Sequence, residues 1–78
     1  MCSKTLFIAT ILTDMLKVHP NDKTLTYLKN KAFYTAPEIA DHLWNAIFSY
    51  VSVTYNSDEK IYTLYQDGYN KYLNTFSV

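Results

Sequence analysis

The sequence predicts an all-α fold, a small four-helix domain that spans residues 1–78 as a single unit. Apolar side chains make up 49% of the 78 residues, which is enough for one packed core, and the chain is too short for a second. One glycine and two prolines leave few residues that favour the tight turns of β-hairpins. Near the end of the chain, aromatic side chains recur at alternating steps of three and four residues, which is the spacing of one helix face. They are Tyr62, Tyr65, Tyr69, Tyr72 and Phe76.

The first half of the chain is predicted to form two helices. Over Lys4–Val18 the apolar residues fall on one side of a helical projection, and only Leu6 is out of place. The segment His19–Asp22 ends this helix, because the residue before a proline avoids helical backbone angles and Asn and Asp favour turns. Asp22 is then expected to cap a shorter helix over about residues 23–34.

A third helix is predicted to start at Thr35-Ala36-Pro37-Glu38, which matches a capping box. In that motif the threonine hydroxyl accepts the N–H of the glutamate, and the carboxylate reaches back to the threonine N–H. The helix then presents a narrow polar face. Its members are Asp41, Asn45, Ser49 and Ser52.

The last helix is predicted over Asp58–Phe76, with Asn56 or Ser57 as its cap. The alternative is an α+β fold with one β-hairpin at about 51–65, because the β-branched residues that begin this stretch alternate as they would in a strand. The helix is preferred because the polar side chains that follow all fall on one side of it. Gly68 costs this helix about 1 kcal/mol relative to alanine, which indicates a close crossing by another helix.

The charge pattern argues against nucleic acid as a partner. The net charge is zero, and all seven positive side chains are lysines. The spacing of Thr35, Glu38, Ile39, Ala40 and Leu43 resembles the first half of a helix-turn-helix, which implies a DNA-binding regulator as the alternative function. The residues after Leu43 depart from that pattern, because they include no turn glycine and the expected recognition helix has no positive charge.

No residue pattern points to catalysis, to a metal or cofactor site, or to a small-molecule substrate. Glu38 and His42 are spaced as two metal ligands on one helix would be, but no third ligand has a matching position. Cys2 lacks a recognisable base or orienting group, so it is interpreted as an incidental thiol. The protein is therefore expected not to be an enzyme.

The sequence also predicts the cellular location of the protein. A single cysteine allows no intramolecular disulfide, which favours a reducing compartment. The apolar run Leu6–Leu12 is too short to span a bilayer and lacks a signal-peptide cleavage site. The last helix lacks the lysine-rich polar face of a membrane-surface helix. A cytoplasmic protein without membrane contact is predicted.

The aromatic content provides the best indication of function. Eight tyrosines, four phenylalanines and one tryptophan exceed what a core of this size hides easily, because each buried tyrosine hydroxyl needs a partner. Five side chains at the margins of the apolar helix faces are predicted to form a solvent-facing, partner-binding patch. They are Trp44, Phe48, Tyr62, Tyr69 and Leu73.

The leading hypothesis is a non-enzymatic protein-binding module that acts through this aromatic surface on a protein partner or on a second copy of itself. The absence of arginine beside abundant Lys, Asn and Tyr is typical of an AT-rich genome. An inhibitor or accessory protein encoded by a phage or another mobile element fits these features.

Overall fold

The computed structural model describes residues 3–76, and these form four α-helices. They are α1 (Ser3–Val18), α2 (Lys23–Ala32), α3 (Ala40–Thr54) and α4 (Glu59–Phe76). A short 3-10 helix, Pro37–Ile39, leads into α3. The prediction of a small all-α domain is confirmed. The alternative hairpin at 51–65 is wrong, because residues 51–54 complete α3, residues 59–65 begin α4, and no residue between 3 and 76 is in a strand.

The core forms around α1, which makes most of the contacts between helices and packs chiefly against α2 and α4. Its three innermost side chains, Ile8, Leu12 and Met15, have no exposed surface. Burying one such side chain completely contributes roughly 1.5–3 kcal/mol. The other helices contribute fully buried aliphatic side chains to the same cluster. They include Leu25, Ile47, Val51 and Ile61.

The α1–α4 crossing depends on Gly68, which is buried in the middle of α4. A Cβ atom at this position would lie 2.8 Å from Cδ1 and Cγ2 of Ile11 and 2.9 Å from its Cγ1. Real Cβ atoms do not approach other carbons so closely. The close helix crossing that the sequence predicted at Gly68 is therefore present.

Two aspartates cap the N-termini of helices. Asp22 Oδ1 accepts the Leu25 N–H at 3.0 Å and caps α2, as predicted. Asp58 Oδ1 accepts the Ile61 N–H at 3.2 Å at the start of α4, so the cap is Asp58 and not Asn56 or Ser57. In both helices the carboxylate satisfies an N–H that has no partner within the first turn.

The predicted capping box at Thr35 does not form. The Thr35 hydroxyl instead donates to the Lys31 carbonyl at 2.7 Å, one turn back in the chain. The residue that caps the 3-10 helix is Ala36, which has no side-chain hydrogen bond to offer. A threonine hydroxyl can satisfy itself on a preceding carbonyl, and here the end of α2 provides one.

Candidate functional site

Helices α3 and α4 lie antiparallel and share a continuous layer of aromatic rings. Near the start of α3, the Tyr72 hydroxyl donates to Asp41 Oδ1 at 2.8 Å. One turn later Trp44 contacts Tyr72 and Tyr69, with centroid distances of 5.3 and 5.4 Å. Phe48 follows and contacts Tyr65, with a centroid distance of 5.5 Å. The paired residue numbers rise along α3 and fall along α4, so the two helices run in opposite directions.

Four of the five predicted partner-binding residues reach the surface. Phe48 is 47% exposed and Leu73 is 38% exposed, while Tyr62 and Tyr69 are half-buried and pack against the core at its edge. These four residues, which lie on two adjacent helices, are called the aromatic face below. Tyr65 lies beneath it and is buried.

The expected exposure of Trp44 is wrong, since only 2% of this residue is accessible. The rings of Tyr65, Tyr69 and Tyr72 pack around it, each at a steep angle to the indole plane. Edge-to-face packing of this kind is favourable for aromatic pairs. The indole N–H has no hydrogen-bond acceptor among the described residues. Trp44 therefore supports the aromatic face from below and adds no surface to it.

Packing against Trp44 and Tyr65 holds two rings of the aromatic face, those of Phe48 and Tyr69. Tyr65 and Tyr69 are stacked with 9° between their planes and 5.9 Å between their centroids. Burial raises the pKa of Tyr65, and the neighbouring hydroxyls of Tyr69 and Tyr62 raise it further. Side chains already held in one conformation lose little entropy when a partner binds.

The border of the aromatic face is polar and carries charge only near its two ends, at Asp41 and Glu59. Asn45 and Ser52 lie next to Phe48 in the helical projection of α3, and Gln66 and Asn70 lie next to the exposed strip of α4. Three charged side chains of α4 are on the other side of that helix, roughly 140–180° away in projection. They are Lys60, Asp67 and Lys71.

A second polar cluster, which the sequence did not predict, joins the two turns at one end of the domain. Asp22 Oδ2 accepts the hydroxyls of Tyr50, at 2.6 Å, and of Tyr55. His19 stacks on the Tyr55 ring with 4.6 Å between centroids, and its Nε2 lies 2.8 Å from Asp58 Oδ2. The α1–α2 turn and the α3–α4 turn are thereby held together. These five residues are called the turn junction below.

The turn junction shifts the pKa of four of its members. Burial alone would raise the pKa of Asp22, but the hydrogen bonds from Tyr50 and Tyr55 outweigh it and the pKa is lowered. Burial and the nearby Asp22 carboxylate raise the pKa of both tyrosines. The hydrogen bond from His19 lowers the pKa of Asp58. The cluster therefore favours ionised aspartates and neutral tyrosines, which is a stabilising arrangement.

A third group of exposed apolar residues lies on the α2 side of the domain. Tyr34 is 90% exposed and Tyr27 is 61% exposed, with the Lys31 ammonium 5.9 Å from the centre of the Tyr27 ring. A shallow groove between Lys31 and α3 is lined in part by Ile39 and Ala46. Tyr27 is in α2, and Tyr34 lies just after that helix ends at Ala32.

The weaker sequence motifs gain no support. The segment that resembles the first half of a helix-turn-helix continues without a turn through α3 to Thr54, so that motif does not form. Glu38 and His42 are both exposed, and residues 3–76 contain no group of three His, Cys, Asp or Glu side chains that could hold a metal ion. Cys2 lies outside the described residues.

Comparisons with protein-family models, curated proteins and solved structures give no match for this chain. Among the helices between residues 3 and 76, none combines the length and apolar character needed to cross a bilayer.

Proposed function

We propose that this chain is a non-enzymatic protein-binding module and that the aromatic face is its binding surface. The observation that carries the proposal is the exposure of Phe48 and Leu73 on adjacent helices, over a layer of packed tyrosines. Apolar surface with a polar rim marks interaction sites in soluble proteins. Tyrosine, tryptophan and phenylalanine are also the side chains enriched at the centre of protein interfaces.

The shape of the aromatic face favours a protein partner over a small molecule. The aromatic face is formed by side chains of two adjacent antiparallel helices and is not a concave pocket, whereas small-molecule sites are usually concave. Truncating an interface residue that acts as a hot spot to alanine costs at least ~2 kcal/mol of binding free energy. Phe48 and Leu73 each keep more than a third of their surface accessible for such a contact.

In this function the chain would act by covering a surface of its partner, as an inhibitor or accessory protein encoded by a phage or another mobile element would. The arginine-free composition supports that origin. The rigid aromatic layer supports action by occlusion, because it offers a preorganised surface and no moving part.

The test is site-specific photocrosslinking in the cells that naturally carry the gene. A photoreactive phenylalanine analogue replaces Leu73 in one variant and Val53 in a second. Val53 is 78% exposed and points away from the aromatic face in the projection of α3, so it is a matched control. A discrete adduct is expected from position 73 and not from position 53.

Two further measurements make the result specific. Untagged wild-type protein in excess should suppress the adduct. Adding Phe48→Ser to the variant that carries the analogue at position 73 should reduce it. Circular dichroism checks that all three variants stay folded. If position 73 gives no adduct, or if positions 73 and 53 give the same adducts, the aromatic face is not a binding surface.

A further inference from the structure

We infer that the outer face of α2, together with the groove between α2 and α3, binds an acidic segment of a partner protein. This inference goes beyond the proposed function, because the surface shares no residue with the aromatic face. Helix α2 packs on α1 and α3, whereas the aromatic face lies on α3 and α4.

Two lysines flank an exposed tyrosine on the outer face of α2. Lys23, Tyr27 and Lys31 follow one another at steps of four residues, so they lie within about 80° of one another around the helix axis. All three side chains are exposed. The Lys31 ammonium lies 5.9 Å from the centre of the Tyr27 ring, which is the range of a cation–π contact. These three residues are called the basic face below.

The positive charge of the basic face is not balanced within the chain. Helix α2 contains three lysines and no acidic residue. Among residues 3–76, neither Lys23 nor Lys31 forms an ion pair with a carboxylate. The Asp22 carboxylate, just before α2, is engaged by hydrogen bonds in the turn junction. On α4, by contrast, Glu59 and Asp67 share the helix with lysines. The basic face therefore complements a partner that carries carboxylates.

The groove next to the basic face adds a place for an apolar side chain. Three of the side chains that line it are apolar, Ile39, Leu43 and Ala46. Ile39 is 51% exposed, so a partner that covers it removes apolar surface from water. Lys31 and His42 also line the groove, and both side chains can donate a hydrogen bond to a carboxylate.

The acidic residues nearest to the groove in sequence do not occupy it. Glu38 and Asp41 are not among its lining residues. The Asp41 carboxylate accepts the Tyr72 hydroxyl on the side of α3 that faces α4. The groove therefore fits an aliphatic side chain that has a carboxylate beside it.

The spacing of the two lysines defines the pattern expected in the partner. Lys23 and Lys31 are eight residues apart, which is about 12 Å along the helix axis. An extended chain rises about 3.3 Å per residue, so two carboxylates about four positions apart would face both lysines. Nucleic acid is disfavoured because the net charge of the chain is zero and phosphate binding depends on many positive contacts. A membrane surface would leave the groove unfilled.

The first measurement is a selection from random peptides displayed on phage, with the full chain immobilised. Peptides that still bind the Lys23→Glu/Lys31→Glu variant are discarded, which removes those that bind the aromatic face. The remaining peptides should carry two acidic residues about four positions apart, with an aliphatic residue beside one of them. If none remains, or if those that remain lack acidic residues, the inference is overturned.

The second measurement is fluorescence anisotropy with the best selected peptide. Lys23→Glu and Lys31→Glu should each weaken its binding by about tenfold or more, because a carboxylate then meets a carboxylate. Ile39→Ser should weaken it by a similar factor, because the groove loses its exposed apolar side chain. Lys71→Glu makes the same charge change at an exposed position of α4 and should leave the affinity within about twofold of wild type. Circular dichroism checks that these variants stay folded.

Further outcomes separate this inference from other partners and from the proposed function. A loss of affinity as large in Lys71→Glu as in Lys31→Glu would show a general charge effect and overturn the inference. Binding of an oligothymidylate or of phosphatidylserine vesicles through the basic face, at higher affinity than any acidic peptide, would also overturn it. Phe48→Ser should leave the affinity for the peptide unchanged, and a peptide that depends on Phe48 rather than Lys31 binds the aromatic face instead.

Discussion

Replacing Gly68 with alanine tests the helix crossing that positions α4 and with it the aromatic face. In an ordinary helix this change stabilises by about 1 kcal/mol. Here the new methyl group would lie 2.8–2.9 Å from three carbons of Ile11. Two of them, Cγ1 and Cγ2, branch from one Cβ, so a side-chain rotation that moves one carbon away does not clear the other. The crossing must open instead.

Overpacking of this kind typically costs 1–3 kcal/mol. Set against the helical gain of about 1 kcal/mol, Gly68→Ala should lower the free energy of unfolding by about 1 kcal/mol. For a domain of this size that corresponds to a fall in Tm of roughly 4–8 °C. Urea unfolding followed by far-UV circular dichroism measures it.

The matched background is Ile11→Ala, which removes all three contacting carbons. In that background Gly68→Ala should raise the free energy of unfolding by up to about 1 kcal/mol, because only the helical gain remains. The sign of the effect should therefore reverse between the two backgrounds. Stabilisation by Gly68→Ala in the wild-type chain, or the same effect in both backgrounds, would refute the reasoning about this crossing.

Four other predictions follow from the structure and the sequence. Tyr72→Ala should lower the free energy of unfolding by about 3 kcal/mol or more, whereas Leu73→Ala should cost less than about 1 kcal/mol, and equal costs in urea unfolding would contradict the assigned burial. The free energy of unfolding should fall as the pH drops below the ordinary Asp pKa of 3.8, because the pKa of Asp22 is lowered on folding. Asp22→Asn should make the free energy of unfolding less dependent on pH in this range. The free energy of unfolding should also fall as the pH rises above 10.0, because the pKa of Tyr55 is higher in the folded than in the unfolded state. Tyr55→Phe should reduce that loss. Binding to generic duplex DNA should be weak even at low salt, because lysines are few, and sub-micromolar affinity at physiological salt would contradict this expectation.

Helical periodicity predicted α1, α3 and α4 because their apolar faces are long and regular, whereas α2 was predicted from its cap at Asp22 and a short apolar stripe. The polar side of α4 keeps its phase from Lys60 to Asn74, and no strand arrangement explains that regularity. The crossing at Gly68 was predictable as well, because a glycine in the middle of a helix needs a packing reason.

The burial of a side chain was harder to predict than the side of the helix on which it lies. A helical projection places Trp44 and Phe48 at similar angles, but 2% of one and 47% of the other is exposed. The difference arises because tyrosine rings from α4 close over Trp44, and the projection of a single helix contains no information about its neighbour.

The turn junction could not be predicted for a related reason. Asp22 bonds with Tyr50 and Tyr55, which lie 28 and 33 positions further along the chain. Periodicity describes residues within one element and says nothing about contacts between distant turns. The prediction at Thr35 failed for a local reason. Its hydroxyl could accept the Glu38 N–H or donate to the Lys31 carbonyl, and in the structure it donates to the carbonyl.

The turn junction also has a consequence for folding kinetics. Its contacts join residues far apart in sequence, such as His19 and Asp58 at a separation of 39, and form only when both helical hairpins are in place. Closing such a loop costs entropy before the contact contributes any stability. The junction should therefore be absent from the folding transition state. Substitutions at Tyr55 should then accelerate unfolding and leave the refolding rate nearly unchanged, so the junction sets how long the native state lasts rather than how quickly it forms.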